Sequence, residues 1–424
     1  MAFGLIPWRM VAAVVPTTAA IMGDSLIYVV LPVSAAEFGI GGQLGLTSGV
    51  WIGVALSINR FIRLFSNGWA ATIYRRFGLR PPFVTSVALG ALTTLAYSFS
   101  HGIWLLLAAR ALWGVSYSFL RLASYMTALE PANAGIRGRL IGFFNAGQRL
   151  GSLIAVTAGA YLVTATDRTT AFTIIAATGL AGVLVSMYVA PLSTPVRPLR
   201  AAAPARSATW SLRDRLWAFA LTPLPISAHR LRAALLSVAV ARAVLAFAAN
   251  GLIIATVAPY LRDIGTSDSS VFGTTVAVVT LAGLVVGTRW FADLALSVPL
   301  GYLSDRVGRR AIVIAGVGVS AGAAMVLAIA DGYELAVIAL PMLFIASVAA
   351  QTALETQFGE SVPDESRASA LGRFSTWLDL GAAIGALVGL PLAEAAGYAT
   401  TFMVAAVLLL AAGTWYARTT RPSR

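Results

Sequence analysis

Gly301-Tyr-Leu-Ser-Asp-Arg-Val-Gly-Arg-Arg310 is a short basic interval between two long apolar stretches. A weaker copy, Arg75-Arg-Phe-Gly-Leu-Arg80, stands upstream in the same kind of interval. Gly78 and Gly308 lie 230 residues apart, and the same offset relates Gly142 to Gly372, Gly151 to Gly381, Gly53 to Gly283 and Leu64 to Leu294. One fixed offset of this size marks two like-oriented halves rather than a solenoid of small repeats.

Working outward, the chain around these intervals is 58% hydrophobic and only 11% charged over 424 residues, a composition foreign to soluble domains. Apolar segments run roughly over 11–35, 47–73, 82–100, 103–129, 138–163, 169–190, 233–260, 271–303, 311–330, 333–358, 368–393 and 399–417. Each is near or above the ~20 residues that span a bilayer. The first is read as a retained helix, because no small-residue cleavage site follows it. Residues 191–232, rich in Pro, Ala and Arg, separate the halves as a basic linker, with Trp210–Leu221 as a candidate interfacial helix. The expected domains are therefore 1–190, the linker 191–232, and 233–424.

All 30 basic residues are Arg, and the net charge is +13. Of these arginines, 20 fall in the gaps on the side of the termini, and only Arg168 and Arg262 fall in the opposite gaps. The positive-inside rule then places both termini in the cytoplasm, so the basic charge is a topology signal, not a nucleic-acid footprint. Cys is absent, which excludes disulfides, thiolate metal sites and cysteine nucleophiles. No metal site and no nucleotide-binding motif is expected, and no nucleophile–base pair suggests an enzyme. Parallel halves related by an axis along the membrane normal are one known plan for transporters.

The interval at Gly301, Asp305, Arg306, Gly308, Arg309 and Arg310 resembles the G-x-x-x-D-R-x-G-R-R loop signature of the major facilitator superfamily. In the first-half copy Arg75 takes the place of the acidic residue. Arg110-Ala-Leu-Trp-Gly114 is similar to the R-x-x-x-G signature of the fourth span. In the fifth span Gly142 and Gly151 fit the glycine spacing of the proton antiporters, but Ala155-Val156 stands where they have Gly-Pro. The resemblance implies an all-α membrane protein: 12 transmembrane helices in two pseudo-symmetric six-helix bundles around a central cavity, working by alternating access.

Charge inside a bilayer is costly and usually faces a cavity, pairs or works. Within spans lie Arg60, Arg63, Arg110, Arg121, Arg149, Arg242 and Arg289, against Asp24, Asp293 and Asp379, with Glu355 nearer an end. The offset relates Arg63 to Asp293 and Arg149 to Asp379. In the family the second span abuts the eleventh and the fifth abuts the eighth, and the depths agree at ~1.5 Å per residue. Two interbundle gate pairs are expected, Arg63–Asp379 and Arg149–Asp293. Asp24 sits at the depth of Arg60, either as a protonation site or as an ionised pair joining the first two helices. Arg110 and Arg121, at ~100° per residue, fall about 20° apart on one face with Gly114 and Tyr117. With Asn250 and Arg289 from the other half they form a candidate cavity suited to carboxylate or phosphate. The alternative is that both arginines bond to backbone carbonyls. In the loop, Asp305 is expected to face the start of the fifth helix, and Arg309 or Arg310 to meet Glu355 or Glu360.

The expected function is a secondary active transporter, without cofactors, exporting an amphipathic or anionic small molecule with proton antiport. It would act as a monomer in the bacterial inner membrane. Alternatives left open are a lipid or lysolipid flippase, a multidrug–proton antiporter, and a non-transporting sensor or assembly partner.

Overall fold

The computed structural model describes residues 6–128, 136–189, 229–265, 270–271, 274–362 and 364–420. The expected interfacial helix Trp210–Leu221, and the linker up to residue 228, lie outside these residues. The first half contains α1 (Trp8–Val30), α2 (Ser48–Phe77), α3 (Arg80–Ser98), α4 (Ile103–Ala128), α5 (Arg137–Ile154), α6 (Ala160–Ala165) and α7 (Arg168–Ser186). A π-helical segment, Ala155–Gly159, joins α5 to α6 in one rod. The second half contains α8 (His229–Leu245), α9 (Ile254–Asp263), α10 (Val278–Phe291), α11 (Ser297–Val307), α12 (Arg309–Ile329), α13 (Tyr333–Glu360) and α14 (Asp364–Thr419). Here π segments Ala246–Ile253 and Ala292–Leu296 join α8 to α9 and α10 to α11. α14 is broken at Gly397, where φ is +81°.

Among the described residues these make twelve helical rods, six in each half. They follow the twelve apolar segments of the sequence. A two-residue antiparallel ladder, Ser270–Val271 with Thr274–Thr275, sits between α9 and α10. Among the described residues, eight helices are long and apolar enough to cross a membrane, one of them being Phe374–Thr419 with its break. α2, α3 and α5 fall outside that group, and α2 and α5 carry Arg60, Arg63 and Arg149 through their middles.

The chain packs as two compact units. One comprises Met1–Arg197 and Ala255–Leu294, the other Pro198–Ile254 and Ala295–Arg424. In the first, α2 packs on α4, α3 on α7 and α4, and α1 on α5 and α7. In the second, α12 packs on α13, and α14 on α8 and the π segment Ala246–Ile253.

Local chemistry explains the ends of these helices. α2 stops at Gly78 and α11 stops at Gly308, and both glycines take positive φ (+75° and +97°). That backbone region is readily open only to Gly, so the duplicated motif fixes the same kind of turn twice. α7 starts at Asp167, whose carboxylate accepts from the Thr170 hydroxyl at 2.6 Å and the Thr170 amide at 3.0 Å. Those bonds hold the Asp167 carboxyl below its usual range.

Candidate functional site

α2 and α4 meet closely because position 114 has no side chain. A Cβ on Gly114 would lie 2.5 Å from the Asn59 carbonyl oxygen. That approach brings Arg110, one turn earlier on α4, against the α2 backbone. Arg110 is 0% exposed. Its Nε donates to the Ala55 carbonyl at 2.8 Å, and its Nη2 donates to Tyr28 Oη at 3.1 Å. Its Nη1 makes an ion pair with Asp24 Oδ1 on α1. Asn59 Nδ2 donates to the same Asp24 oxygen at 3.1 Å. A charge this deep needs such satisfaction, and each of the three guanidinium nitrogens has a partner.

This arrangement adds to the expectation at two points. Asp24 is met by an arginine of α4, a partner that the sequence did not suggest. Arg110 takes the alternative role, bonding to backbone carbonyls and joining α1, α2 and α4. Arg60 lies over the Tyr28 ring, its guanidinium carbon 5.0 Å from the centroid.

Further along α2 and α4 the pattern of arginine over tyrosine repeats. Arg63 lies 4.8 Å from the Tyr117 ring centroid, and Arg121 lies 5.8 Å from that of Tyr125. Tyr117 Oη donates to Gln148 Oε1 of α5 at 2.8 Å. Tyr28, Asn59 and Gln148 were not singled out in the sequence. Tyr28 stands four residues after Asp24, one helical turn on, and that spacing was the available signal.

Arg149 and Asp293 both belong to the first unit. Arg149 Nε lies 3.7 Å from Asp293 Oδ2, and Arg289 Nη2 lies 3.8 Å from the same oxygen. The π segment Ala292–Leu296 carries Asp293. Arg289 also lies over the Trp290 ring at 4.2 Å. Of the other expected pair, Arg63 is placed within the first unit as above, and Asp379 is buried within the second.

In the second unit, Arg242 Nη1 donates to Gln351 Oε1 at 2.8 Å, and its Nη2 pairs with Glu355. Asn250 Nδ2 donates to the same Gln351 oxygen at 3.2 Å. The loop motif is held internally. Arg309 Nη2 donates to Asp305 Oδ1 at 2.7 Å and Nη1 pairs with Glu360, as the sequence suggested for that arginine. Arg310 Nη2 caps the Ala417 carbonyl at 2.8 Å, and Arg306 lies over the Tyr302 ring. Gly301 lies inside α11, one turn before Asp305. No group of His, Cys, Asp and Glu suited to a metal ion occurs among the described residues.

The sequence matches the Major Facilitator Superfamily over residues 17–291 and 243–424. Solved structures share the fold at low identity. A bacterial homologue of the human lysosomal transporter Spinster is 16% identical with a TM-score of 0.69, covering 98% of each chain. The nucleoside transporter NupG is 14% identical with a TM-score of 0.70, covering 97% of this chain and 100% of its own. The human organic anion transporter MFSD10 (TETRAN) is 16% identical with a TM-score of 0.65, covering 97% and 100%. A search of curated protein sequences finds no match. With twelve helical rods, duplicated halves and a family match that runs the length of the chain, this protein belongs to the Major Facilitator Superfamily and is a multi-pass membrane transporter, not an enzyme.

Proposed function

We propose that the protein is a secondary active transporter that exports an amphipathic organic anion by alternating access, in exchange for protons. The observation that carries this reading is the charge balance of α1 to α5. Within their own spans these helices carry Arg60, Arg63, Arg110, Arg121 and Arg149 and one carboxylate, Asp24; Arg110 engages Asp24, and Arg149 pairs with Asp293 of α10's π segment. Arg60, Arg63 and Arg121 are each held over a tyrosine ring. A ring face under a guanidinium helps to fix its orientation. Oriented guanidinium groups suit the planar bidentate recognition of carboxylate or phosphate, and the tyrosines suit the apolar part of such a substrate. The solved structures share the fold only and do not choose the substrate. The protein is proposed to sit in a bacterial inner membrane with both termini cytoplasmic, on the arginine asymmetry of its gaps. Arg149 and Asp293 are proposed to act as a gate, since an ion pair at 3.7 Å can be exchanged for water or substrate contacts.

The test is ligand-dependent thermal stabilisation of the purified protein with benzoate, ethidium and a lysophospholipid, for the native chain and for Arg63→Gln and Arg121→Gln. Arg110 is the wrong probe, because its loss leaves Asp24 as an uncompensated buried charge. Stabilisation by benzoate that disappears in both variants is expected. Stabilisation by ethidium that both variants retain overturns the anion reading in favour of a multidrug carrier. Stabilisation by the lysophospholipid alone makes the protein a flippase. Proton exchange is tested in proteoliposomes with Asp24→Asn. Loss of pH-driven flux with substrate counterflow intact marks Asp24 as the proton carrier. Equal loss of both marks it as a structural partner of Arg110.

A further inference from the structure

The second unit holds a polar cluster that the first-unit arginines do not explain. Arg242 and Gln351 side chains are buried, with Arg242 only 7% exposed, whereas the Glu355 side chain is 52% exposed. Gln351 Oε1 accepts from both Arg242 Nη1 and Asn250 Nδ2. Two donors on one oxygen fix which end of the amide is which. The other end, Nε2, is then a buried donor with no hydrogen-bond partner, and Arg242 Nε is a second. Buried donors left this way are costly, and native proteins keep few of them. Asn250 stands in the π segment Ala246–Ile253, and such irregular turns are frequent at functional sites.

The stoichiometry of the cluster is one-sided. Arg242 and the Gln351 amide nitrogen can only donate. The acceptor that Arg242 has is Glu355, one turn beyond Gln351 on α13 and the most exposed member of the cluster. A ligand that only accepts, such as a carboxylate, sulfonate or phosphate oxygen, would satisfy what the protein leaves unmet. It would take the place Glu355 holds on Arg242.

We propose that Arg242, Gln351 and Asn250 form an oxyanion subsite in the second unit, for which Glu355 is the built-in counter-ion that a substrate carboxylate displaces. This rests on the organic-anion reading above and assigns the anionic group of the substrate a second anchor. Glu355 then acts as a competitor: it keeps Arg242 compensated when no substrate is bound and sets how tightly an anion must bind to replace it.

The test is benzoate binding to the purified full-length protein by calorimetry, for the native chain, Glu355→Gln, Gln351→Leu and Arg121→Gln. Removing the internal competitor while keeping its size should tighten benzoate binding about tenfold. Gln351→Leu, which removes a donor, should weaken it about tenfold. If the cluster only braces α8 against α13, Glu355→Gln and Gln351→Leu lower the melting temperature and leave the benzoate affinity unchanged, and the proposal fails. Should Glu355→Gln not fold, an unchanged affinity in Gln351→Leu overturns the proposal alone. The two readings fail separately. Binding lost in Arg121→Gln but unaffected at Glu355 and Gln351 keeps the first-unit anion site and removes this one. Tighter binding in Glu355→Gln with Arg121→Gln unaffected does the reverse. No benzoate binding by the native chain or by Glu355→Gln overturns the subsite.

Discussion

At the scale of the residue, the most consequential contact is the ion pair between Asp24 and Arg110. Both side chains were legible as buried charges, because a charge in the middle of an apolar run stands out in any sequence. Their partnership was not legible. It joins residues 86 positions apart and depends on how α1, α2 and α4 are arranged, which no local pattern encodes. Matching depth pointed Asp24 at Arg60 of the neighbouring helix. Packing at Gly114 draws Arg110 onto α2 and across to α1 as well. The prediction follows from burial. Removing one partner of a buried pair leaves the other charge uncompensated, at a cost of about 3 kcal/mol or more. Asp24→Leu should therefore lower the melting temperature sharply. The double variant Asp24→Leu with Arg110→Met should recover much of the loss, because no buried charge then remains. A double variant no more stable than Asp24→Leu would refute the view that the unpaired Arg110 charge causes the loss.

At the scale of the element, the glycines decide how near the rods come. Gly151 and Gly381, one repeat offset apart, do the same work in their own units. A Cβ on Gly151 would lie 2.5 Å from the Thr18 carbonyl of α1, and one on Gly381 would lie 2.1 Å from the Ala243 carbonyl of α8. Close approach of this kind is how helices associate where lipid removes the usual hydrophobic drive. Gly381→Val should abolish the folded protein or move α14 off α8, read as loss of a monodisperse peak on size exclusion. Gly318 of α12 has nothing within 4 Å of its Cβ position. Gly318→Ala should instead raise stability by about 0.5–1 kcal/mol through the helix preference of Ala. Equal behaviour of the two variants would refute the packing role. The duplication made Gly151 and Gly381 visible in the sequence as a matched pair. The π segments were not visible, because an extra residue in a helical turn leaves hydropathy unchanged. They carry Asn250 and Asp293, so the details of both candidate sites were hidden at the same places.

At the scale of the whole molecule, the repeat makes a topological claim that can be tested without knowing the substrate. Arg76 and Arg306 are one repeat offset apart, and both are exposed near the end of the second rod of their half. If the halves are parallel, both positions face the same side, and the arginine asymmetry makes that side the cytoplasm. An inverted duplication would put them on opposite sides. Thr166, between α6 and α7, and Asp331, between α12 and α13, are exposed at the other ends of their rods. The native chain has no Cys, so single cysteines can be read against a silent background. Arg76→Cys and Arg306→Cys should resist a membrane-impermeant maleimide in intact spheroplasts and react once the membrane is opened. Thr166→Cys and Asp331→Cys should react before opening. Labelling of Arg76→Cys and Arg306→Cys on different sides would refute the parallel duplication. Labelling of both from outside would keep the duplication but reverse the orientation, and with it the direction in which the arginine-rich face of the first unit is proposed to pass its anion.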